Sequence, residues 1–123
     1  MSDVVVTVPK GRWAEWLAEG QLAGEPWDGL TQSHFWIRRP TPNIAPGERV
    51  YIVAHNRLRG YSPLVRVEER CWLDPGRACL LRHGQAVALT IPESIQGFQG
   101  YRYRWWSRLE EVAFPGWMEA DGE

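Results

Sequence analysis

The alternation of apolar and polar residues along the chain predicts a set of short β-strands. The run 4–8 is β-branched and ends at a proline, which is typical of a strand end. The run 49–55 is apolar on both of its faces, which predicts a strand that is covered on both sides. The stretch 58–69 predicts the partner of that strand, with a bulge or bend marked by Gly60 and Pro63.

Further strands and short helices complete this pattern. The additional strands are predicted at residues 33–38, 78–82, 86–91 and 101–106. A helix is predicted at 12–19, and one helical turn is predicted at 106–112. We therefore expect a mainly β fold of about six or seven strands with one or two short helices, forming a small closed mixed sheet, a pseudobarrel, in one domain over residues 1–123.

Composition places the chain among ordinary globular proteins. Its hydrophobic fraction is 44% and its charged fraction is 24%. No apolar run is long enough for a membrane-spanning helix, and the N-terminus lacks the basic start of a signal peptide. We expect a cytoplasmic protein without a membrane partner, in which Cys71 and Cys79 stay reduced.

The distribution of charge changes the picture that a net charge of −1 gives. Residues 1–30 carry five acids and two bases, and residues 109–123 carry five acids and no base. Residues 31–108 carry five acids and twelve arginines, a net charge of +7. Arginine suits planar contacts with phosphates and base edges, although a general bias toward arginine in the coding sequence would give the same count.

One stretch of the chain resembles a known family. The letters Pro-Gly-Glu-Arg-Val-Tyr-Ile-Val at 46–53, a polar turn at His55-Asn56 and the strand 58–67 with its early glycine follow one another. This order resembles the central hairpin of the PUA-like superfamily, the small pseudobarrels that include the ASCH, EVE and YTH-type domains. The resemblance implies a barrel whose mouth binds a nucleic-acid base, often a modified one.

The same resemblance bears on individual residues. It aligns Ala54, His55 and Asn56 with a strand end that carries an aromatic, a histidine and a small polar residue in EVE-like members, so the histidine is kept and the aromatic is not. The lysine and threonine of the family's small amidohydrolases would fall at Lys10 and Trp13, and Trp13 departs from that pattern. The ASCH signature Gly-x-Lys-x-x-Glu-x-Arg is absent as well. Activity is therefore not carried over from the resemblance.

The segment 101–106 holds the densest set of candidate binding residues. On a strand, Tyr101, Tyr103 and Trp105 share one face, and Arg102 and Arg104 lie on the other. Aromatic faces beside arginines suit single-stranded nucleic acid, because bases stack on the rings and phosphates pair with the cations. The alternative is that one face closes the core while the arginines cover the outside.

A second cluster is predicted at the hairpin turn, where His55, Asn56, Arg57 and Arg59 follow one another closely. Trp36, Arg38 and Arg39 are a third candidate binding cluster, which would form a pocket wall. The alternative is that Trp36 belongs to the core and the two arginines are exposed. The predicted ligand-binding residues are Trp36, Arg38, Arg39, His55, Asn56, Arg57, Arg59, Arg102, Tyr103, Arg104 and Trp105.

No metal, cofactor or catalytic residue is predicted. The spacings among Cys71, Cys79 and His83 match no paired zinc-ligand pattern, and phosphate loops and nucleophile elbows are absent from the sequence. We expect a non-catalytic module for RNA, another single-stranded nucleic acid or a modified nucleotide base. The alternatives are a protein-interaction module, monomeric or homodimeric, and a small hydrolase of modified nucleosides.

Overall fold

The computed structural model describes residues 2–8, 32–37, 40–70, 77–83 and 87–114, with the backbone alone for residues 32–36 and 83. Eight strands lie in this part of the chain: β1 (Val4–Thr7), β2 (Gln32–Ile37), β3 (Arg49–Ala54), β4 (Arg57–Glu68), β5 (Ala78–His83), β6 (Val87–Thr90), β7 (Tyr101–Tyr103) and β8 (Val112–Ala113). The predicted helical turn is present as a 3-10 helix at Arg108–Glu110. The helix predicted at 12–19 lies outside the described residues.

The eight strands form one mixed sheet. Its order is β2-β5-β4-β3-β1-β7, with β6 beside β4 and β8 beside β6. The β1–β3 pair is parallel, and the other pairs are antiparallel. The predicted mainly β, mixed-sheet class is confirmed, with β8 as an additional strand. Among the described residues, the hydrogen-bonded order is an open path rather than a closed ring.

Both faces of the central strands are buried, as the run 49–55 predicts. Residues 50–54 are all 0% exposed. The first core lies on one face and contains Val4, Val6, Ile37, Ile44, Val50, Leu64, Ala78 and Leu80. The second core lies on the opposite face and contains Val5, Tyr51, Val53, Leu58, Leu89, Ile91, Ile95 and Trp106. No helix among the described ranges is long and apolar enough to cross a membrane.

The long strand β4 changes partners along its length. It pairs with β3 over residues 57–63 and with β5 over residues 64–68. Opposite β3 the ladder steps from Gly60 to Leu58, so Arg59 is the extra residue of a β-bulge, close to the predicted bend. Arg59 is 0% exposed, and its Nε donates a hydrogen bond to the carbonyl of Ala54 at 2.9 Å.

Two turns have the backbone geometry that their residues favour. The amide of Glu48 donates to the carbonyl of Ala45 at 3.0 Å, and Gly47 between them has φ +90°, which makes a type II turn. The β3–β4 hairpin has a two-residue loop in which His55 and Asn56 have φ +52° and +60°. Positive φ at both positions defines the type I′ turn that matches the twist of a hairpin.

The conformation of Asn56 gives a first prediction. Asn56→Val is expected to lower the free energy of unfolding by about 1–2 kcal/mol, because a β-branched residue is strained at positive φ. Asn56→Gly is the matched control and should change it by no more than about 0.5 kcal/mol. Urea denaturation of the three proteins measures both. Equal stability of the valine and glycine variants would contradict the turn assignment.

Candidate functional site

The loop between β6 and β7, residues 91–100, connects two of the predicted binding regions. Ile91 and Ile95 anchor it in the second core, each 3% exposed. The amide of Ile95 donates to the carbonyl of Asn56 in the hairpin turn at 3.0 Å. The amide of Phe98 donates to Oγ1 of Thr7 on β1 at 3.3 Å. The hairpin turn and the strand neighbouring β7 are therefore both bonded to this loop.

Arg102 lies over the far end of the loop. Its Cα pairs with that of Val5, so the two side chains project from the same face of the sheet, that of the second core. The Arg102 guanidinium carbon lies 4.4 Å from the centroid of the Phe98 ring, within cation–π distance. Arg102 is exposed, so this cation is available to an anion from solvent.

Trp105 is an exposed aromatic that nevertheless has defined contacts. It is 45% exposed, and its Nε1 donates a hydrogen bond to Oε2 of Glu93 in the loop at 3.2 Å. Its ring meets that of Trp106 edge-to-face, with centroids 5.0 Å apart and planes at 87°. Trp106 is 4% exposed and belongs to the second core. Trp105 is therefore held by one hydrogen bond and one buried ring.

Glu111 fixes Trp106 from the other side. Its carboxylate accepts hydrogen bonds from Trp106 Nε1 at 2.9 Å, Tyr51 Oη at 2.5 Å and Arg49 Nη1 at 2.9 Å. Burial, reinforced by the hydrogen bond to Glu111, raises the pKa of Tyr51 to about 12. Tyr51 therefore keeps its proton at neutral pH, and its hydroxyl donates a hydrogen bond to Glu111.

Asp3 holds a second charged cluster beside the first. Its carboxylate accepts from the Arg49 amide at 2.9 Å, from Arg104 Nε at 3.1 Å and from Arg108 Nη2 at 2.8 Å. Burial alone would raise the pKa of Asp3, but the hydrogen bonds from Arg108, the Arg49 amide and Arg104 outweigh it and leave that pKa below its ordinary value. Asp3 thus ties β1 to the segment 104–108.

The structure differs from the predicted strand 101–106, since β7 ends at Tyr103. One residue later the Arg104 amide still donates to the carbonyl of Asp3, in the register of the β1–β7 pair, and the Arg104 side chain pairs with the Asp3 carboxylate. Arg104 also donates to the carbonyl of Trp106. The structure gives Arg104 a structural position, although the sequence predicts it as a phosphate contact.

Tyr101 and Tyr103 project from the opposite face to Arg102, as the strand pattern predicts. Their Cα partners on β1 are Val6 and Val4, which belong to the first core. Tyr103 is 44% exposed, and its Oη accepts from the Asn43 amide at 2.9 Å. The predicted alternation is present, but Tyr103 and Trp105 contact different segments. Tyr103 contacts Asn43, which precedes β3, whereas Trp105 contacts the β6–β7 loop.

The residues of the hairpin turn divide between surface and interior. Asn56 is exposed. Arg57 donates from Nε to Thr90 Oγ1 at 3.4 Å, and its guanidinium carbon lies 4.5 Å from the centroid of the Phe114 ring. Arg59 is fully buried in the bulge of β4, so it cannot serve as a surface contact. A buried arginine inside an otherwise apolar strand has no local sequence signature that separates it from an exposed one.

The third predicted cluster is placed only in part. Trp36 lies on β2 opposite Cys79 of β5, and its side chain is outside the described residues. Arg38 and Arg39 lie outside them as well. Cys79 is buried, at 1% exposed. No group of three or more His, Cys, Asp and Glu within the described residues could hold a metal ion.

Three residues that are not among the predicted ligand-binding residues contribute to this region. Glu93 and Phe98 position Trp105 and Arg102, and Glu111 positions Trp106. Each lies in a loop or at the end of a short helix, where neither apolar periodicity nor a motif marks it. Glu93 could be recognised as the partner of Trp105 only after the loop is placed beside the segment that carries Trp105.

Comparison with known proteins gives a similarity in backbone structure to one solved protein. No protein-family model matches the chain, and no curated protein matches it. Among solved structures, the chain is similar to the crystal structure of a point mutant of the ZmASCH protein from Zymomonas mobilis, at 16% identity and a TM-score of 0.49. The match covers 85% of this chain and 91% of that one. At this identity the likeness concerns the backbone and not the residues of the site.

Proposed function

We propose that this protein is a non-catalytic module that binds single-stranded RNA or a nucleotide base on the surface of the β6–β7 loop. The loop surface is defined by Asn56, Glu93, Phe98, Arg102 and Trp105. The observation that carries the proposal is the position of Trp105, which is 45% exposed and yet held by Glu93 and the Trp106 ring.

Trp105 has the properties of a stacking platform. Leaving a tryptophan half exposed gives up part of the roughly 150–250 Å² that such a side chain can bury. Its two contacts restrict the ring before a ligand arrives, so stacking a base on it loses less conformational entropy than stacking on a free side chain. Stacking of this kind contributes about 1–3 kcal/mol per base in single-strand binding proteins.

Arg102 supplies the complementary charge. Its guanidinium is exposed at the far end of the loop from the hairpin turn, stacked on Phe98. A phosphate of a strand whose base stacks on Trp105 would find a planar cation on the same loop surface. The net charge of +7 over residues 31–108 favours the approach of a polyanion to this part of the chain.

Binding fits the described residues better than catalysis does. The ionisable cluster that joins Tyr51 and Glu111 faces the second core rather than solvent. Tyr51 is 0% exposed, and the Glu111 side chain is 7% exposed. Both groups are therefore closed to solvent in this arrangement, and their role is to support the loop surface.

The proposal is tested by the affinity of two variants for a fluorescently labelled single-stranded RNA. Trp105→Ala should weaken binding about five- to a hundredfold, the equivalent of one lost stacking contact. Arg102→Ala should weaken binding to all sequences alike and lower the slope of log affinity against log salt by about 0.7, as expected for one phosphate contact. Fluorescence anisotropy at several salt concentrations measures both effects.

Arg66→Ala is the matched control for charge. Arg66 is an exposed arginine on β4, 53% exposed and paired with Glu68 at 2.6 Å, in the part of the strand that pairs with β5. It should leave the affinity within about twofold of wild type. Wild-type affinity in Trp105→Ala would overturn the proposal, and so would a wild-type protein that does not bind RNA at low salt.

A further inference from the structure

We propose that Glu93 makes the loop surface selective for guanine. This inference rests on the proposed function, because it names the base that the Trp105 platform would accept. It arises from the position of the Glu93 carboxylate, which is exposed and bonded through Oε2 to Trp105 Nε1 at 3.2 Å. A hydrogen-bond acceptor is thereby placed beside an exposed aromatic ring.

The loop fixes Glu93 on both sides. Ile91 and Ile95 flank it, and both are buried in the second core. Ile95 is further bonded through its amide to the hairpin turn at Asn56. The carboxylate is thus anchored by its backbone at two nearby points and by Trp105 at its tip. A group held in this way can discriminate between ligands, because little of its freedom is lost on binding.

The chemistry of a carboxylate selects among the bases. An ionised carboxylate only accepts hydrogen bonds, through two oxygens that can bind a pair of adjacent donors. Guanine presents such a pair on its Watson–Crick edge, the ring N1–H and the exocyclic amino group. Adenine and cytosine place one amino donor beside a ring-nitrogen acceptor, and uracil places its N–H between two carbonyl oxygens. These acceptors would face the carboxylate and be repelled by it.

The bond to Trp105 leaves the acceptor capacity that guanine requires. Oε2 accepts one hydrogen bond from the indole and has a second lone pair, and none of the described residues donates to Oε1. A base that stacks on Trp105 and is displaced toward Nε1 brings its Watson–Crick edge beside this carboxylate. Arg102 on β7, which contacts Phe98 of the loop, would then offset the repulsion between Glu93 and the phosphates of the strand.

The test compares six-nucleotide uridine strands that carry one internal guanine, hypoxanthine or adenine. Wild-type protein should bind the guanine strand roughly ten- to a hundredfold more tightly than the adenine strand. The hypoxanthine strand, which keeps N1–H and lacks the exocyclic amino group, should fall between them. Glu93→Gln should bind the guanine and adenine strands within about threefold of each other, because its amide offers one acceptor and one donor.

Glu68→Gln is the control, since it neutralises a partly exposed acid at the end of β4 that pairs with Arg66. It should keep the wild-type preference for guanine. Equal wild-type affinity for the three strands, or a guanine preference that survives in Glu93→Gln, would overturn the role of Glu93 and leave the binding function standing. If none of the strands binds and Trp105→Ala changes nothing, the proposed function fails together with the inference.

Discussion

Glu111→Ala is expected to lower the free energy of unfolding by about 3–5 kcal/mol, the largest effect of any single change considered for this chain. The Glu111 side chain is 7% exposed, and its carboxylate accepts three hydrogen bonds. Its removal leaves the Tyr51 hydroxyl and the Trp106 indole N–H buried without their acceptor. The substitution also removes the ion pair between Arg49 and Glu111.

The size of the effect depends on whether each of the three donors can form a hydrogen bond with water once the carboxylate is gone. Arg49 is 23% exposed and can regain water, so it contributes the smallest share. Tyr51 and Trp106 are 0% and 4% exposed, and each buried unsatisfied donor costs about 1–3 kcal/mol. Because whole domains are stable by only about 5–15 kcal/mol, a loss of this size would leave a marginal fold.

Urea denaturation followed by tryptophan fluorescence measures this loss. Glu111→Gln should lose less than the alanine variant, because its amide oxygen still accepts from one or two of the donors. Glu68→Ala is the control for removing a glutamate from an arginine pair, and its exposed pair should contribute at most about 1 kcal/mol. A Glu111→Ala variant no less stable than Glu68→Ala would contradict the account of the Glu111 cluster.

Asp3→Asn should lower the free energy of unfolding by about 2–3 kcal/mol at neutral pH. The substitution keeps the shape of the side chain and removes the charge that Arg104 and Arg108 share. Hydrogen bonds to charged groups contribute about 1.5–3 kcal/mol each, but Arg108 is half exposed and its share is reduced by solvent. The bond from the Arg49 amide can persist to the amide oxygen of asparagine.

The same substitution has a defined pH dependence. The pKa of Asp3 is lowered in the folded state, so the unfolded chain binds the proton more readily. Stability therefore rises with pH between the folded and the unfolded pKa of Asp3. The contribution of Asp3 is therefore complete above about pH 5 and is lost as the pH falls below the ordinary aspartate value of about 3.9 toward the lower folded value. The difference between wild type and Asp3→Asn should shrink across that window.

Denaturation curves of the two proteins between about pH 3 and pH 7 measure this difference. A difference in stability that is the same at every pH would show that the charge of Asp3 is not the cause. Arg108→Ala removes only the more exposed of the two arginines that pair with Asp3. It should lower the free energy of unfolding by less than Asp3→Asn does, since Asp3 keeps its bonds to Arg104 and to the Arg49 amide.

The two charged clusters have a common consequence for the proposed site. Asp3 holds the segment that begins at Arg104, and Glu111 holds the buried ring of Trp106. Trp105 lies between these two attachment points and packs against that ring. The exposed indole is thus presented by a segment fixed at both ends, which connects the stability of the fold to the geometry of the loop surface.

Local pattern was enough to predict much of the sheet. Residues 50–54 are apolar on both sides, and they are buried on both faces. Gly47 occupies a turn that requires positive φ, and the hairpin turn falls at His55 and Asn56. These features depend on side-chain period and on the backbone preferences of a few residues, which neighbours in sequence already determine.

The sequence by itself determined most of the strands and their turns, the basic middle of the chain and the alternation of Arg102 with Tyr101 and Tyr103, but neither β8 nor the end of β7 at Tyr103. Only the tertiary structure decided which of the predicted residues reach solvent, because it buries Arg59 in a bulge and binds Arg104 to Asp3. It also joined Glu93 to Trp105 and Asp3 to Arg108, a pair 105 residues apart. Period and turn chemistry are local properties, whereas the partner of a charge depends on how distant segments pack, and no local pattern records that choice.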